Sequence, residues 1–310
     1  MTSKTARKSK PERLDIYTRI TDQIISALET GVKPWTQPWN AAHAAGHVSK
    51  PLRHNGKPYA GINILTLWAT SMERHFAAPI WMTFKQAREL GGHVRKGEKG
   101  SLVVYADTMV KTEESANGQD EERFIPFLKA YSVFNVDQIE DLPDHFYALA
   151  NNEPNPDERI ASAEDFFAQA GADIRHGGDS AFYTPSLDFI QMPPFEAFRD
   201  AQGYYATLAH ESTHWTRHKS RLDRDLGRKR MGDEGYAREE LVAELGAAFL
   251  CADLGLALED RADHAAYIGS WLKVLKNDKR AIFSAAAHAQ NAAEYLSSLQ
   301  SENANTKAAA

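Results

Sequence analysis

Residues 208–218 read LAHESTHWTRH, with three histidines and one glutamate in eleven positions. His210 and His214 are four apart, so on a helix they project from one face, a turn apart. Two imidazoles so placed can grip one metal ion at about 2 Å each. Glu211 points towards the same site but is angled away from direct ligation, which suits it to take the proton of an attacking water. This is the HExxH arrangement, with His210 and His214 as ligands and Glu211 as catalytic base. The donor set calls for one divalent ion, zinc by preference and manganese as the alternative.

So short a motif needs context. The flanking residues YYATLAHESTHWTRH have the pattern of an amphipathic helix, as the chemistry requires. A third ligand is commonly a glutamate from a later helix, and YAREELVAELGAAFLCADLG (236–255) offers Glu240 and Glu244 on an otherwise apolar run. Carboxylates facing apolar surroundings are costly unless paired or metal-bound. The spacing therefore assigns Glu240 as third ligand and Glu244 as acceptor of a hydrogen bond from the free ring nitrogen of a ligand histidine. Glu239 is expected to face solvent. Tyr236 and Tyr183 are candidates for the donor that an oxyanion would need. The stretch LDFIQMP is expected to form a sheet edge along which a peptide could lie. His176 is expected in a loop, His218 at the surface, and His264 and His288 outside the centre.

The elements that must position these groups follow from periodicity and punctuation. Residues 14–30 place apolar side chains at helical spacing, ended by Gly31. YAGINILTLWATSMERH and TFKQARELG predict two more helices, and SLVVYADTMV and FIPFLKAYSVFNV predict strands joined through a polar, acidic hairpin loop or flap. NNEPNPDER (151–159) has linker composition. A helix over ASAEDFFAQAG and a strand–turn–strand unit follow, then helices almost to the end. The expected fold class is α+β. A mixed N-terminal domain (1–150, with 1–12 disordered) precedes a mostly helical domain with a small sheet (151–310, with 301–310 disordered).

Composition narrows the classes. The 310 residues are 43% hydrophobic and 25% charged, ordinary for a globular protein. No run approaches the ~18 apolar residues of a membrane span, and no apolar segment follows the basic start, so a cytoplasmic protein without membrane partners is expected. A single cysteine, Cys251, excludes an internal disulfide and a cysteine-based zinc site. Residues 1–111 hold 17 Lys+Arg against 8 Asp+Glu, whereas residues 112–310 hold 19 against 34. A basic front half suits an anionic partner. There, aromatic and basic residues interleave: Trp35, Arg53, Lys57, Tyr59, Lys85, Arg95, Lys96 and Lys99 are the candidate single-stranded DNA contacts, by stacking and phosphate pairing. Trp68 and Phe84 are expected in the core.

Several of these segments resemble one family. YTRITDQIISALETGVKPW, NGKPYAGINILTLW, WMTFKQARELGGHVRKGEKGSLVVY and YSVFNVDQIEDLP are similar to the N-terminal domain of ArdC-type antirestriction proteins. TLAHESTHWT and YAREELVAELGAAFLCADLG are similar to their C-terminal metallopeptidase domain. The resemblance implies a bacterial, plasmid- or mobile-element-encoded protein. Its first domain would bind single-stranded DNA and its second would be a zincin similar in plan to Spartan-type DNA-dependent proteases. The implied role is to protect incoming DNA from host restriction during conjugation; the peptide substrate is not implied. Two other classes remain open from the residues. One is a non-catalytic DNA shield whose metal site is structural, which an intact Glu211 disfavours. The other is a metal-dependent nuclease, disfavoured because phosphoryl transfer more often uses carboxylate-rich two-metal sites.

Overall fold

The computed structural model describes residues 15–35, 49–114, 120–147, 156–227, 230, 232–257 and 264–308. Helix α1, Ile16–Glu29, starts where the Asp15 side chain accepts a hydrogen bond from the Thr18 amide at 3.1 Å, and buries Ile20, Ile24, Ile25 and Leu28. Strand β1 (Leu52–Arg53), helix α2 (Ile62–Arg74), strand β2 (Ile80–Thr83), the short helix α3 (Phe84–Glu89) and strand β3 (His93–Val94) follow. Strands β4 (Ser101–Glu114) and β5 (Asp120–Asn135) then form a long antiparallel hairpin, and β6 (Ile139–Glu140) pairs with β3. The main sheet has the order β1-β2-β5-β4, with β1 and β2 parallel. The acidic residues expected in a hairpin loop or flap mostly extend the hairpin strands, which continue to Glu114 and resume at Asp120.

The second half opens with α4 (Pro156–Ala170) and a three-stranded sheet of β7 (Asp173–His176), β8 (Phe182–Thr184) and β9 (Phe189–Met192), in the order β7-β9-β8. Strand β9, expected at an edge, is central: β7 pairs with it in parallel and β8 antiparallel, so its ladder groups are taken. His176 closes β7 rather than lying in a loop. Helices α5 (Ala201–Trp215), α6 (Glu234–Leu254), α7 (His264–Asn277) and α8 (Ala281–Ala308) complete the chain. Helix α8 runs through 301–308, where disorder was expected; part of the expected linker, 151–155, lies outside the described residues.

Helix α6 is buried on every side from Glu239 to Cys251, packed against α5, α7 and α8. An apolar helix without a solvent face must be central. It ends at Gly255, which takes the left-handed conformation (φ 66°). Helices α5 and α6 approach closely at Gly246, where a Cβ would meet Thr213 Cγ2 and come within 2.6 Å of its Oγ1.

One core crosses the boundary expected near residue 150. Ile24, Trp35, Leu65 and Trp68 from the first half share a cluster with Phe249, Trp271, Ile282 and Leu296 from the second. Polar links cross it too: Thr21 Oγ1 donates to Lys279 O at 2.7 Å, the Gly61 amide to Gln290 Oε1 at 3.1 Å, and Lys50 pairs with Asp253 at 2.6 Å. A smaller cluster around Met82, Ala87, Val136 and Leu142 holds α3, β3 and β6 together. Among the described residues, no helix is long and apolar enough to cross a membrane.

Candidate metal centre

Helix α5 begins where the Asp200 side chain accepts from the Gly203 amide at 2.9 Å, and it buries every residue from Gly203 to Trp215. The helical repeat brings the His210 and His214 rings to 4.9 Å between centroids. Helix α6 lies across them. Glu240 Oε2 is 3.6 Å from His210 Nε2, and Glu240 Oε1 is 3.6 Å from His214 Nε2. One donor atom from each of the three residues lies within 4.8 Å of the others. A tetrahedral ion with bonds of about 2.1 Å sets its donors about 3.4 Å apart, so the set fits such an ion with small adjustment.

Behind each Nε2, the Nδ1 faces a carboxylate. His214 Nδ1 is 3.1 Å from Glu239 Oε1, and His210 Nδ1 is 3.7 Å from Glu244 Oε2. Glu239 therefore does not face solvent: it is fully buried (0%) because α6 has no solvent side. Arg224 neutralises it, donating to its two oxygens at 2.8 and 2.9 Å and to Thr213 O at 2.9 Å. Glu244 thus faces the ring nitrogen of one candidate ligand histidine, His210, at ion-pair distance, and Glu239, not expected in this place, takes the equivalent position behind His214. Burial opposes charge on both histidines, yet Glu240 with Glu244 raises the pKa of His210, and Glu239 with Glu240 raises that of His214. Burial likewise opposes ionisation of Glu240, and the two histidines outweigh it, holding the carboxyl well below its usual range.

Charge completes the fit. Among the described residues, Glu211, Glu239, Glu240 and Glu244 are buried around the two histidines, with Arg224 and Lys33 as buried cations. A divalent cation between the two imidazoles would meet the Glu240 carboxylate in a low-dielectric interior that favours such pairing. Tyr236 flanks Glu240, its hydroxyl 2.9 Å from that of Tyr267, and burial raises its pKa. Tyr183 is instead engaged with Asp188 at 2.8 Å and Arg221 at 3.3 Å. Arg221 also lies over the Trp215 ring, at 3.8 Å. His218 bonds to Ser220 Oγ and His176 to the Tyr204 hydroxyl, each at 2.8 Å.

The candidate DNA residues divide. Arg53, Lys57, Lys85, Lys96 and Lys99 are exposed. Arg95 is exposed too, but its guanidinium is directed to Asp137 O at 2.5 Å and Glu98 at 3.3 Å. Trp35, proposed from sequence as a stacking residue, is 1% exposed: it packs edge-on against Trp271 and donates to Glu244 Oε1 at 3.3 Å. Tyr59 is also buried, beside Arg53. Neither offers a face to a base. Conversely, Phe84, expected in the core, is 50% exposed. The sequence predicted the strands of the hairpin but named none of its residues as a DNA contact. Pairing of Tyr105 with Lys129, Asp107 with Phe127 and Val103 with Tyr131 puts Tyr105, Phe127, Lys129 and Tyr131 on one face. Tyr105 and Tyr131 are exposed, and the alternation of YADT and FLKAYS was the available signal.

Fold and centre define a class: a helix-borne His–His–Glu site packed beside a small sheet, and residues 161–288 match the zincin-like metallopeptidase family. Residues 14–134 match the N-terminal domain of anti-restriction factor ArdC. Among solved structures, the metal-free antirestriction ArdC protein of plasmid R388 is 46% identical with TM-score 0.78, covering 93% of this chain and 99% of that one. Its Mn(II)-bound form gives TM-score 0.74 at 46% identity, covering 92% and 98%. Among curated relatives, the uncharacterised protein y4eC of Sinorhizobium fredii is 45% identical, with 93% of each chain covered. A DNA primase TraC of Escherichia coli is 39% identical over 90% of this chain, which spans 27% of that longer protein. The chain belongs to the ArdC antirestriction family.

Proposed function

We propose that this protein is a DNA-binding metallopeptidase that protects incoming mobile-element DNA from restriction during conjugation. The observation that carries the catalytic part is the double-backed ligand set: both Nε2 atoms turned to Glu240, with Glu239 and Glu244 behind them. His210, His214 and Glu240 would hold one divalent ion, zinc by donor type, or manganese as in the R388 relative. That ion, when bound, supplies a Lewis acid that acidifies water and polarises a peptide carbonyl. Glu211, buried next to His210, takes a proton from the attacking water and passes it to the leaving amine. Tyr236, beside Glu240, is the nearer candidate to donate a hydrogen bond to the developing oxyanion. Glu239 and Glu244 orient the imidazoles.

The DNA part rests on the exposed basic residues Lys57, Lys85, Lys96 and Lys99 and on the aromatic face of the hairpin. Aromatic rings beside cations suit single strands, because every base has a face to stack. The Glu211→Gln protein tests the whole reading in two assays: cleavage of a protein substrate with single-stranded DNA present, and transfer of unmodified DNA into a restricting recipient. Loss of both supports a peptidase working in antirestriction. Protection retained without cleavage favours a DNA shield instead.

A further inference from the structure

Glu244 lies in the middle of α6, but two of its partners come from the first half of the chain. Trp35 Nε1 donates to its Oε1 at 3.3 Å across 209 residues, and Lys33 Nζ lies 3.8 Å from the same oxygen. Its second oxygen, Oε2, faces His210 Nδ1 at 3.7 Å. All four side chains are buried. The two oxygens are thus divided between two halves of the protein: one held by the segment after α1, the other turned to a candidate metal ligand. The Trp35 ring is seated edge-on against Trp271 at 5.7 Å; Trp271 stacks on Tyr267 at 6.0 Å, and the Tyr267 hydroxyl meets that of Tyr236, the neighbour of Glu240. An aromatic belt therefore runs from the Glu244 side of the centre to its Glu240 side.

We infer that Trp35 is a positioning residue of the metal centre. By anchoring Oε1 it fixes the rotamer in which Oε2 backs His210, and so sets the direction of Nε2. This rests on His210, His214 and Glu240 forming the metal site, and it adds that the centre is completed by the first half of the chain. The plain alternative is a core tryptophan whose indole N–H merely finds an acceptor. The two readings differ in what removal of the N–H does to metal affinity when an aromatic side chain is kept at this position.

The test measures Zn²⁺ and Mn²⁺ affinity of the full-length protein by chelator competition, for wild type, Trp35→Phe, Glu244→Gln and the double variant. Visible spectra of the Co²⁺-loaded proteins and melting of the metal-free proteins are recorded alongside. Loss of an outer-shell partner weakens a metal site about 10–100-fold. Glu244→Gln should fall in that range, and Trp35→Phe should lose about 10-fold with altered Co²⁺ bands. The double variant should bind no more weakly than Glu244→Gln, because both act through one contact. Glu244→Asp keeps the charge but is too short to bridge both partners; it should mimic Trp35→Phe and serves if that variant does not fold. Trp35→Phe and Glu244→Asp proteins that melt lower but bind metal with wild-type affinity and spectrum would overturn the inference alone, as would additive losses. Wild type that binds neither ion would overturn the metal centre itself, and this inference with it.

Discussion

Replacing Glu239 with alanine should destabilise the fold as well as the centre. The side chain is fully buried and holds both Arg224, at 2.8 and 2.9 Å, and His214 Nδ1, at 3.1 Å. Arg224 is itself buried, so truncation strands a guanidinium in the interior, where among the described residues Thr213 O and Thr216 Oγ1 remain as its hydrogen-bond acceptors. Breaking a buried ion pair from one side costs about 3–5 kcal/mol, against about 5–15 kcal/mol for a whole domain. Urea unfolding of the metal-free protein should show a loss of that size. Removing both charges, as Glu239→Gln with Arg224→Met, should cost at least about 2 kcal/mol less, because no unpaired charge is left buried. A Glu239→Ala protein within about 0.5 kcal/mol of wild type would behave as an ordinary surface substitution and refute the argument.

Three further outcomes are expected. Gly246→Val should destabilise by about 1–3 kcal/mol or more, since Thr213, branched and hydrogen-bonded to Ala209 O at 2.8 Å, cannot yield; thermal melting reads this, and an unchanged melt would show that α5 and α6 are not so close. The hydrogen bonds from Arg221, opposed by partial burial, hold the Asp188 carboxyl below its usual range, so its contribution is present above the ordinary aspartate pKa and is lost as pH falls through the lower folded value. With the Asp188 side chain about a third exposed, Asp188→Asn should cost about 1 kcal/mol at neutral pH and less below about pH 4; a deficit that grows on acidification would contradict it. Tyr105→Ala and Tyr131→Ala should each weaken single-stranded DNA binding by about 1–3 kcal/mol in a fluorescence titration, with the salt slope retained, whereas unchanged affinity would remove the hairpin from the interface.

The histidine helix was legible because a four-residue spacing on a helix is local geometry, and the hairpin strands because composition and alternation mark them without help from neighbours. Glu240 was legible for a related reason: a carboxylate in an apolar run demands a partner wherever the run is packed. The side chains judged wrongly depend on distant chain. Glu239 reads as solvent-facing only if α6 has a wet side, and that is decided by α5, α7 and α8. The covering of Trp35 comes from Trp271 and Glu244, more than 200 residues away. Strand β9 looked like an edge because its parallel partner β7 is separated from it by β8. Phe84 sits at an exposed helix start, where residue type alone favours burial.

The central claim is the metal centre, and metal content with ligand substitution tests it most directly. Elemental analysis of the purified full-length protein, loaded and desalted, should give one divalent ion per chain. Glu240→Ala should abolish retention, and Glu244→Gln should keep the ion with weakened affinity. Full retention by Glu240→Ala, or loss of the ion from Glu244→Gln alone, would contradict the assignment of His210, His214 and Glu240 as its ligands.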